Sequence, residues 1–236
     1  MASHDLKEPL RGLHNVSELL LLDHGPGLDA DVRANLESIA CLAQRLELQT
    51  NALRRYSEIG RRELTFTQTD LGQLVNNIAR GDGVHDAPSS RLVDEGVHLQ
   101  VVDRLPVVTG DAELLGQLFV HLIDNGIRFN DKPGKSIKVH ASRETSQKLA
   151  SRSWACQGLV GEHWLITVAD NGIGIDPNHF ESVFRAFRRL NARGQYGDGV
   201  GAGLTLSKKI LDRHGGRIWV ESEIREGSRC CFTLPV

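Results

Sequence analysis

Residues 170–175, Asp-Asn-Gly-Ile-Gly-Ile, form the first of four segments whose residue types and spacing are suited to chemistry. They follow the apolar run 164–169, which is typical of a buried strand. A strand that ends in Asp170 and opens into Gly172 and Gly174 can present one carboxylate and several backbone amides to a ligand. The carboxylate can accept a hydrogen bond from an exocyclic amine such as that of adenine. A hairpin turn built on the Asn-Gly pair explains the same pattern.

Residues 197–204, Gly-Asp-Gly-Val-Gly-Ala-Gly-Leu, are the second segment and lead into a predicted helix over 203–214. Glycines let a backbone approach an anion closely, and a helix N-terminus supplies free amides and a favourable dipole for phosphate. No Gly-Lys-Ser/Thr follows, which excludes a Walker loop, and the position far from any N-terminal βαβ unit disfavours a dinucleotide fingerprint. The segment indicates a lid that closes over phosphates, although a flexible loop has the same composition.

The third segment lies on a predicted helix over 111–130, where His121, Asn125 and Arg128 share one face at i, i+4 and i+7. The amide oxygen of Asn125 can ligate Mg²⁺, and Arg128 can bind phosphate oxygens. The ring of Phe129 can stack on a nucleobase. A polar stripe on a solvated helix face is the alternative interpretation.

The fourth segment covers residues 3–10 and contains His4 beside Asp5. A histidine on a helix surface can act as a nucleophile whose proton passes to a neighbouring carboxylate. Pro9 removes a backbone donor and loosens the helix nearby. The chain has ten histidines, and a surface histidine without a chemical role is the alternative interpretation.

The front of the chain reads as two helices joined by a break at 23–27. The first covers 2–22, and the second begins after a cap at Asp29 or Asp31. Both carry stripes that step by four and three residues: Leu6, Leu10, Leu13, Ser17 and Leu20 in the first, and Val32, Leu36, Ile39, Ala43, Leu46, Thr50 and Leu53 in the second. A helical hairpin with such stripes leaves apolar surface exposed, so we expect a homodimer in which two hairpins form a four-helix bundle.

The back of the chain mixes helices and strands after a hinge at 61–70. Predicted helices cover 71–80, 111–130 and 203–214, and predicted strands cover 97–102, 136–142, 164–169, 217–222 and 229–235. Residues 81–95 are predicted to be a polar loop, and 143–162 a long hairpin connection. The expected organisation is a helical hairpin at 1–60, the hinge, and an α/β domain at 71–236.

Composition excludes several classes of protein. The 236 residues are 40% hydrophobic and 25% charged, as in ordinary globular domains, and a formal charge of −2 argues against a strongly basic nucleic-acid surface. No apolar run approaches the roughly 18 residues of a membrane span, and the N-terminus has no signal-peptide pattern. The four cysteines have no CxxC spacing, which favours reduced thiols in a cytoplasmic protein over a disulfide or zinc framework.

In their order along the chain, these segments resemble the sensor histidine kinases of bacterial two-component systems. The resemblance covers nearly the whole chain. The amino-acid sequences of 2–11 and 213–222 are most similar to those of the kinase modules of phytochrome-type photoreceptors. Residues 4–10 resemble the phosphoacceptor box, 121–129 the asparagine box, 170–175 and 199–204 the two glycine boxes, and 184–187 the phenylalanine box.

The resemblance implies an ATP-binding domain of the Bergerat (GHKL) type, an α/β sandwich, that docks on a dimeric helical hairpin. It implies that His4 accepts the phosphoryl group with Asp5 as the neighbouring base, that Asn125 holds Mg²⁺ and that Arg128 meets the phosphates. The adenine amine would bind Asp170. Further residues implied at the nucleotide site are Phe129, Gly172, Gly174, Phe187, Gly199, Gly201, Gly203 and Leu204.

Two residues depart from the pattern of that family. His121 stands where its members usually carry asparagine, which puts the affinity for Mg²⁺ and the turnover in question. Glu8 stands where members with strong phosphatase activity often carry threonine or asparagine. An acidic side chain is poorly suited to placing a water against a phosphoaspartate, so we expect weak phosphatase activity.

The sequence therefore predicts an ATP-dependent protein-histidine kinase that autophosphorylates on His4 and passes the phosphoryl group to an aspartate of a response regulator. A link to light through a phytochrome-type sensor is expected, with the sensory domain lying before His4 and outside this chain. A nucleotide-binding but poorly active dimeric scaffold is the alternative, favoured by His121. An ATPase of the topoisomerase or chaperone type is disfavoured. The glutamate that activates water in those enzymes would fall at position 121, where this chain has histidine.

Overall fold

The computed structural model describes residues 2–82, 87–185 and 201–236, and for residues 2–6 it describes the backbone alone. Within these ranges, none of the helices combines the length and the apolar character needed to cross a bilayer. Two residues predicted at the nucleotide site, Phe187 and Gly199, lie outside the described residues.

Two long helices form the predicted hairpin at the front of the chain. The first, α1, spans Ala2–His24, and the second, α2, spans Ala30–Arg61, with a short 3₁₀ turn at Gly25–Gly27 between them. The carboxylate of Asp29 accepts a hydrogen bond from the amide of Asp31 at 2.9 Å. The first amides of a helix have no partner within it, so this bond explains why α2 begins where it does.

The two helices pack through small and half-buried residues. Ser17 on α1 is buried, as are Ala40 and Ala43 on α2, and Nδ1 of His14 lies 3.3 Å from the carbonyl oxygen of Ala40. Other apolar residues of the two helices remain exposed: Leu13, Val16, Leu20, Val32, Ile39, Leu46 and Leu53. The hairpin thus buries one side of its apolar stripes and leaves the other side as an apolar surface.

The rest of the described chain forms an α/β domain. Its strands span Thr67–Asp70 (β1), His98–Val101 (β2), Val107–Gly110 (β3), Ser136–Thr145 (β4), Glu162–Asp170 (β5), Ile218–Glu223 (β6) and Gly227–Pro235 (β7). Its helices span Leu71–Arg80 (α3), Ser89–Asp94 (α4), Ala112–Arg128 (α5), Ser146–Arg152 (α6) and Gly203–Arg213 (α7). A five-stranded sheet has the order β2-β4-β5-β7-β6, in which only β2 and β4 are parallel neighbours, while β1 and β3 form a separate antiparallel pair.

The main core lies between this sheet and the helices α3, α5 and α7. The rings of Phe119 on α5 and Phe232 on β7 are fully buried and meet edge to face, with centroids 5.7 Å apart. Other buried members include Val75, Ile78, Leu115, Ile123, Ile137, Ile166, Ile210 and Leu211. The predicted α/β sandwich is therefore confirmed, and its helical layer carries α5 and α7 with their chemical residues.

Two predicted connections contain regular structure instead. Residues 81–95 include the helix α4, and within 143–162 the strand β4 continues to Thr145 before α6 begins. The segment from α6 to residue 159 packs on the face of the sheet opposite the main core. A small buried cluster there contains Leu149, Cys156, Leu165, Trp219 and Cys231. These helices have six and seven residues, which is too short for apolar periodicity to reveal them.

The α/β domain holds the C-terminal end of α2. The guanidinium of Arg213 at the end of α7 donates hydrogen bonds to three carbonyl oxygens, of Ile59 at 2.6 Å, Gly60 at 2.7 Å and Arg62 at 2.8 Å. The last carbonyls of a helix lack partners within the helix, and a cation near them is favourable. The hairpin and the α/β domain are thereby joined at a defined place.

Candidate functional site

The chemical residues predicted for the α/β domain converge on one cavity of about 730 Å³. It lies between α2, the second half of α5, the loop after β5 and the start of α7. The predicted residues that line it are Asn125, Arg128, Phe129, Asp170, Gly174, Gly201, Gly203 and Leu204, together with His121. Three segments that are far apart in the sequence therefore contribute to a single site.

Asp170, the last residue of β5, is the buried carboxylate of this cavity. Its Oδ1 accepts hydrogen bonds from the amide of Gly172 at 2.8 Å and from the amide of Ser228 at 3.2 Å. Burial raises the pKa of Asp170 to about 6, while the two amides act in the opposite direction. The carboxylate is fixed in place by backbone donors and is ionised at neutral pH, so it can accept a hydrogen bond from a ligand amine.

Gly172 and Gly174 are required by close approaches of backbone to backbone. A Cβ on Gly172 would lie 2.2 Å from the carbonyl oxygen of Phe129, and one on Gly174 would lie 2.1 Å from that of Glu223. Gly174 also has a φ of +74°, which disfavours residues with a side chain. These glycines let the loop after β5 pass between the end of α5 and the end of β6. Gly174 lines the cavity, and Gly172 does not.

The alternative of an Asn-Gly hairpin turn at this loop is wrong. β5 pairs with β4 and β7, and the next strand in the chain, β6, is not its neighbour in the sheet. Oδ1 of Asn171 accepts hydrogen bonds from the amide of Ser136 at 2.8 Å and from the side chain of Asn130 at 2.7 Å. Asn171 thus anchors the loop to the start of β4.

The face of α5 that carries His121, Asn125 and Arg128 turns toward the cavity, and all three side chains are half-buried. A Cβ on Gly203 would lie 3.8 Å and 3.9 Å from the amide atoms of Asn125, so the start of α7 stands directly over this face. Nη2 of Arg128 donates a 3.3 Å hydrogen bond to Asp124, which also binds Arg91. The stripe is therefore enclosed by other elements and is not a freely solvated helix face.

The donor set suits Mg²⁺ bound together with phosphate. Mg²⁺ in nucleotide sites usually takes one or two protein oxygens, and phosphate oxygens and waters complete its octahedron. The amide of Asn125 supplies such an oxygen, whereas a ring nitrogen of His121 is a poorer ligand for this hard cation. No group of three or more His, Cys, Asp or Glu side chains converges within the described residues, so the cavity does not offer an all-protein cage.

One wall of the cavity comes from the hairpin, which the sequence motifs did not indicate. On α2 it is formed by Leu48, Asn51, Ala52, Arg54 and Arg55, and on α1 by Lys7. Oδ1 of Asn51 is buried and has no hydrogen-bond partner among the described residues. The wall adds three cationic side chains and an amide to a cavity whose other side carries Arg128.

A periodic signal for this wall exists in the sequence. Positions 48, 51, 52 and 55 repeat at steps of three and four residues, as the predicted apolar stripe of α2 does, but on another face of the helix. Ser228, whose amide binds Asp170, has no such signal, because β7 reaches Asp170 only through the pairing of the sheet.

His4 and Asp5 lie in the first turns of α1. Only the backbone is described there, so their place relative to the cavity follows from Lys7, which lies three residues after His4 and lines the cavity. Residues three apart on a helix are neighbours on its surface. The predicted phosphoacceptor position is therefore one helical turn from the cavity wall.

Comparisons with known proteins agree on both parts of the chain. Residues 110–236 match the family described as histidine kinase-, DNA gyrase B-, and HSP90-like ATPase, and residues 1–62 match the His Kinase A (phospho-acceptor) domain. Cyanobacterial phytochrome B of Nostoc sp. is 41% identical over 99% of this chain. The match covers 28% of that relative, so this chain spans under a third of its length.

Two solved structures show the same fold over nearly the whole chain. Full-length ShkA in complex with AMPPNP has a TM-score of 0.64 at 22% identity and covers 99% of this chain and 44% of its own. The histidine kinase ThkA in complex with the response regulator protein TrrA has a TM-score of 0.63 at 18% identity, with 99% and 60% covered. At these identities the likeness concerns the fold.

Proposed function

Because the chain belongs to the histidine kinases, with a phosphoacceptor domain followed by a histidine kinase-, DNA gyrase B-, and HSP90-like ATPase domain, we propose that it binds Mg²⁺ and ATP and autophosphorylates on His4. The observation that carries the proposal is the single cavity that joins a buried carboxylate, an amide, an arginine and the glycines at the start of α7. Each of these groups suits a different part of one ligand.

The adenine end of the ligand is assigned to Asp170 and Phe129. The ionised carboxylate of Asp170 accepts a hydrogen bond from the exocyclic amine, while Phe129 offers an apolar ring beside it. The phosphates are assigned to Arg128 and to the free amides at the N-terminus of α7, which begins at Gly203. The lid at this end is assigned to Gly201, Gly203 and Leu204, which line the cavity. The resemblance adds Gly199 and Phe187, which lie outside the described residues.

The proposed reaction moves one phosphoryl group. A ring nitrogen of His4 attacks the γ-phosphorus, the bond from that phosphorus to the oxygen bridging to the β-phosphate breaks, and ADP leaves. The proton lost from the imidazole passes to the carboxylate of Asp5. Asn125 would hold Mg²⁺, and the ion would supply positive charge to the phosphates.

A homodimer is proposed from the hairpin. The exposed Leu13, Val16, Leu20, Leu46 and Leu53 lie on the two helices of a domain that is a dimerisation unit in its family. Pairing two such hairpins would bury these side chains in a four-helix bundle. The proposed division is a dimerising hairpin at 1–60, a connecting segment at 61–70, whose last four residues form β1, and a catalytic domain at 71–236.

The wider role is proposed from the relatives. Transfer of the phosphoryl group to an aspartate of a response regulator is in keeping with the ThkA–TrrA complex, and a link to light with the phytochrome relative. The whole protein would then be a cytoplasmic two-component signalling kinase. Incubation of phosphorylated protein with candidate receiver domains tests the transfer step directly.

Labelling with γ-labelled ATP tests the autophosphorylation. We expect label that is stable in alkali and labile in acid, as for phosphohistidine, and we expect it to be lost in His4→Gln. His24→Gln changes another histidine of the same helix and should keep full labelling. Equal labelling of the wild type and His4→Gln would refute the proposed acceptor.

A poorly active scaffold is the second candidate, and His121 in place of the usual asparagine favours it. In that case the protein would bind ATP, measured by calorimetry, and would give no label on His4. Binding and labelling are separate measurements, so the two candidates lead to different results. ATP hydrolysis without phosphohistidine would point instead to the gyrase or chaperone type of activity.

A further inference from the structure

The hairpin that forms one wall of the nucleotide cavity belongs to the same polypeptide chain as the residues proposed to bind ATP. Lys7 on α1 and Asn51, Ala52 and Arg55 on α2 line the same cavity as Asn125 on α5. A ligand in this cavity therefore lies between the ATP-binding domain and its own hairpin. Which hairpin the cavity faces decides which His4 can be reached.

The connection between the two parts is short and held at both ends. Residues 62–66 join α2 to β1, and five residues span at most about 18 Å even when fully extended. Oδ2 of Asp111, the residue that caps α5, accepts hydrogen bonds from Nη2 of Arg62 at 3.3 Å and from the amide of Thr65 at 3.1 Å. The linker thus follows a fixed path back to its own α/β domain.

Further contacts hold α2 against α7. Arg213 binds carbonyl oxygens at the end of α2, and the ammonium of Lys209 lies 5.2 Å from the centroid of the Tyr56 ring, one turn earlier on that helix. α7 begins at Gly203, over Asn125, and ends at this junction. The helix that opens at the phosphate end of the cavity is therefore fixed to the hairpin of the same chain.

Three exposed apolar residues of α1, Leu13, Val16 and Leu20, lie on a different side from the cavity. Leu19 and Leu22 are also exposed, but they lie roughly 60° and 0° from the His4 position. At about 100° per residue, the His4 position is roughly 60° from that of Lys7 and roughly 160° from that of Leu20. Leu20, with Leu13 and Val16, belongs to the exposed surface proposed to bind a second hairpin. A partner that covers Leu13, Val16 and Leu20 would leave the His4 face at the start of α1 directed to the chain's own cavity.

We propose that the phosphoryl transfer occurs in cis, so that ATP bound by one chain phosphorylates His4 of the same chain. The inference rests on the proposed kinase function. The contacts of Arg213 and Asp111 would then determine which histidine is phosphorylated, because they hold the cavity beside α1 of the same chain.

Two mixed dimers, each prepared with two different affinity tags, test this inference. In the first, a His4→Gln chain is paired with an Asp170→Asn chain, so that one has the nucleotide site and the other has the acceptor. Transfer in cis predicts that this mixed dimer carries no more label than the Asp170→Asn homodimer does. Transfer in trans predicts label on the Asp170→Asn chain at up to half the wild-type amount.

In the second mixed dimer, a wild-type chain is paired with a chain that carries both substitutions. Transfer in cis predicts label on the wild-type chain at the rate of a wild-type protomer, whereas transfer in trans predicts none. Label in the first dimer without label in the second would overturn the inference. Absence of label in the wild-type homodimer would refute the proposed kinase function itself, which keeps the two failures distinct.

Discussion

The guanidinium of Arg213 donates a 2.6 Å hydrogen bond to the carbonyl oxygen of Ile59, so the last residue of α7 caps the end of α2. Helix α7 begins at the nucleotide cavity and ends at the hairpin, which makes it a rigid connection between the two. A change in the position of α2 would act on the start of α7 through this bond. The relationship therefore predicts that Arg213 matters for phosphoryl transfer although it does not line the cavity.

Arg213→Gln should lower the free energy of unfolding by about 1–2 kcal/mol, because hydrogen bonds from a charged donor are lost at the junction. It should slow labelling of His4 more than it weakens ATP binding, since the cavity residues stay in place. Urea denaturation, labelling rates and calorimetry of ATP binding measure the three quantities. Arg143→Gln, which removes an exposed ion pair with Glu162 far from the junction, should change none of them appreciably.

Asp170→Asn should weaken ATP binding by at least tenfold at pH 7, because the charged acceptor for the exocyclic amine is replaced by a neutral amide. In the wild type, ATP binding should weaken as the pH falls below about 6, where Asp170 takes up a proton. The variant should lack that pH dependence. A wild-type affinity that stays constant between pH 7 and pH 5 would contradict the role of Asp170.

The carboxyl group of Asp170 should also make the free energy of unfolding depend on pH. Its pKa is raised from the model-compound value of 3.8 to about 6 in the folded protein, so the folded state favours the protonated form. The associated stability is present below pH 4 and is lost as the pH rises through about 6. The free energy of unfolding of Asp170→Asn relative to the wild type should thus increase by on the order of 2 kcal/mol from pH 4 to pH 7. A flat difference across that range would be inconsistent with the buried carboxylate.

Gly172→Ala and Gly203→Ala form a matched pair that separates structural from functional glycines. A Cβ on Gly172 would stand 2.2 Å from a backbone oxygen, whereas the nearest atom to a Cβ on Gly203 is 3.7 Å away. We expect Gly172→Ala to lower the free energy of unfolding by several kcal/mol, roughly the range of severe backbone clashes, and Gly203→Ala to leave it unchanged or higher. Thermal and urea unfolding measure both, and similar losses in the two variants would contradict the geometry.

The sequence could predict the local parts of this site but not all of its walls. The glycines at 172 and 174 follow an apolar strand, and His121, Asn125 and Arg128 share a helix face, so local rules place each group. Asn51 and Arg55 share a helix face, but no motif connects that face with a nucleotide site, because it reaches the cavity only after the hairpin docks on α7. The short strands β1 and β3, four residues each, have no local signal for a similar reason, since their pairing depends on residues about forty positions apart.

His121→Asn should raise the affinity of the nucleotide site for Mg²⁺. Mg²⁺ prefers oxygen donors, and an amide at this position would lie one helical turn from Asn125 on the same face of α5. We expect the Mg²⁺ concentration for half-maximal labelling of His4 to fall several-fold in this variant and to rise in Asn125→Ala. Titration of Mg²⁺ at saturating ATP gives both values. If His121→Asn leaves the midpoint unchanged while Asn125→Ala raises it, position 121 lies outside the coordination of the metal, and the departure from the family pattern at His121 does not explain any loss of activity.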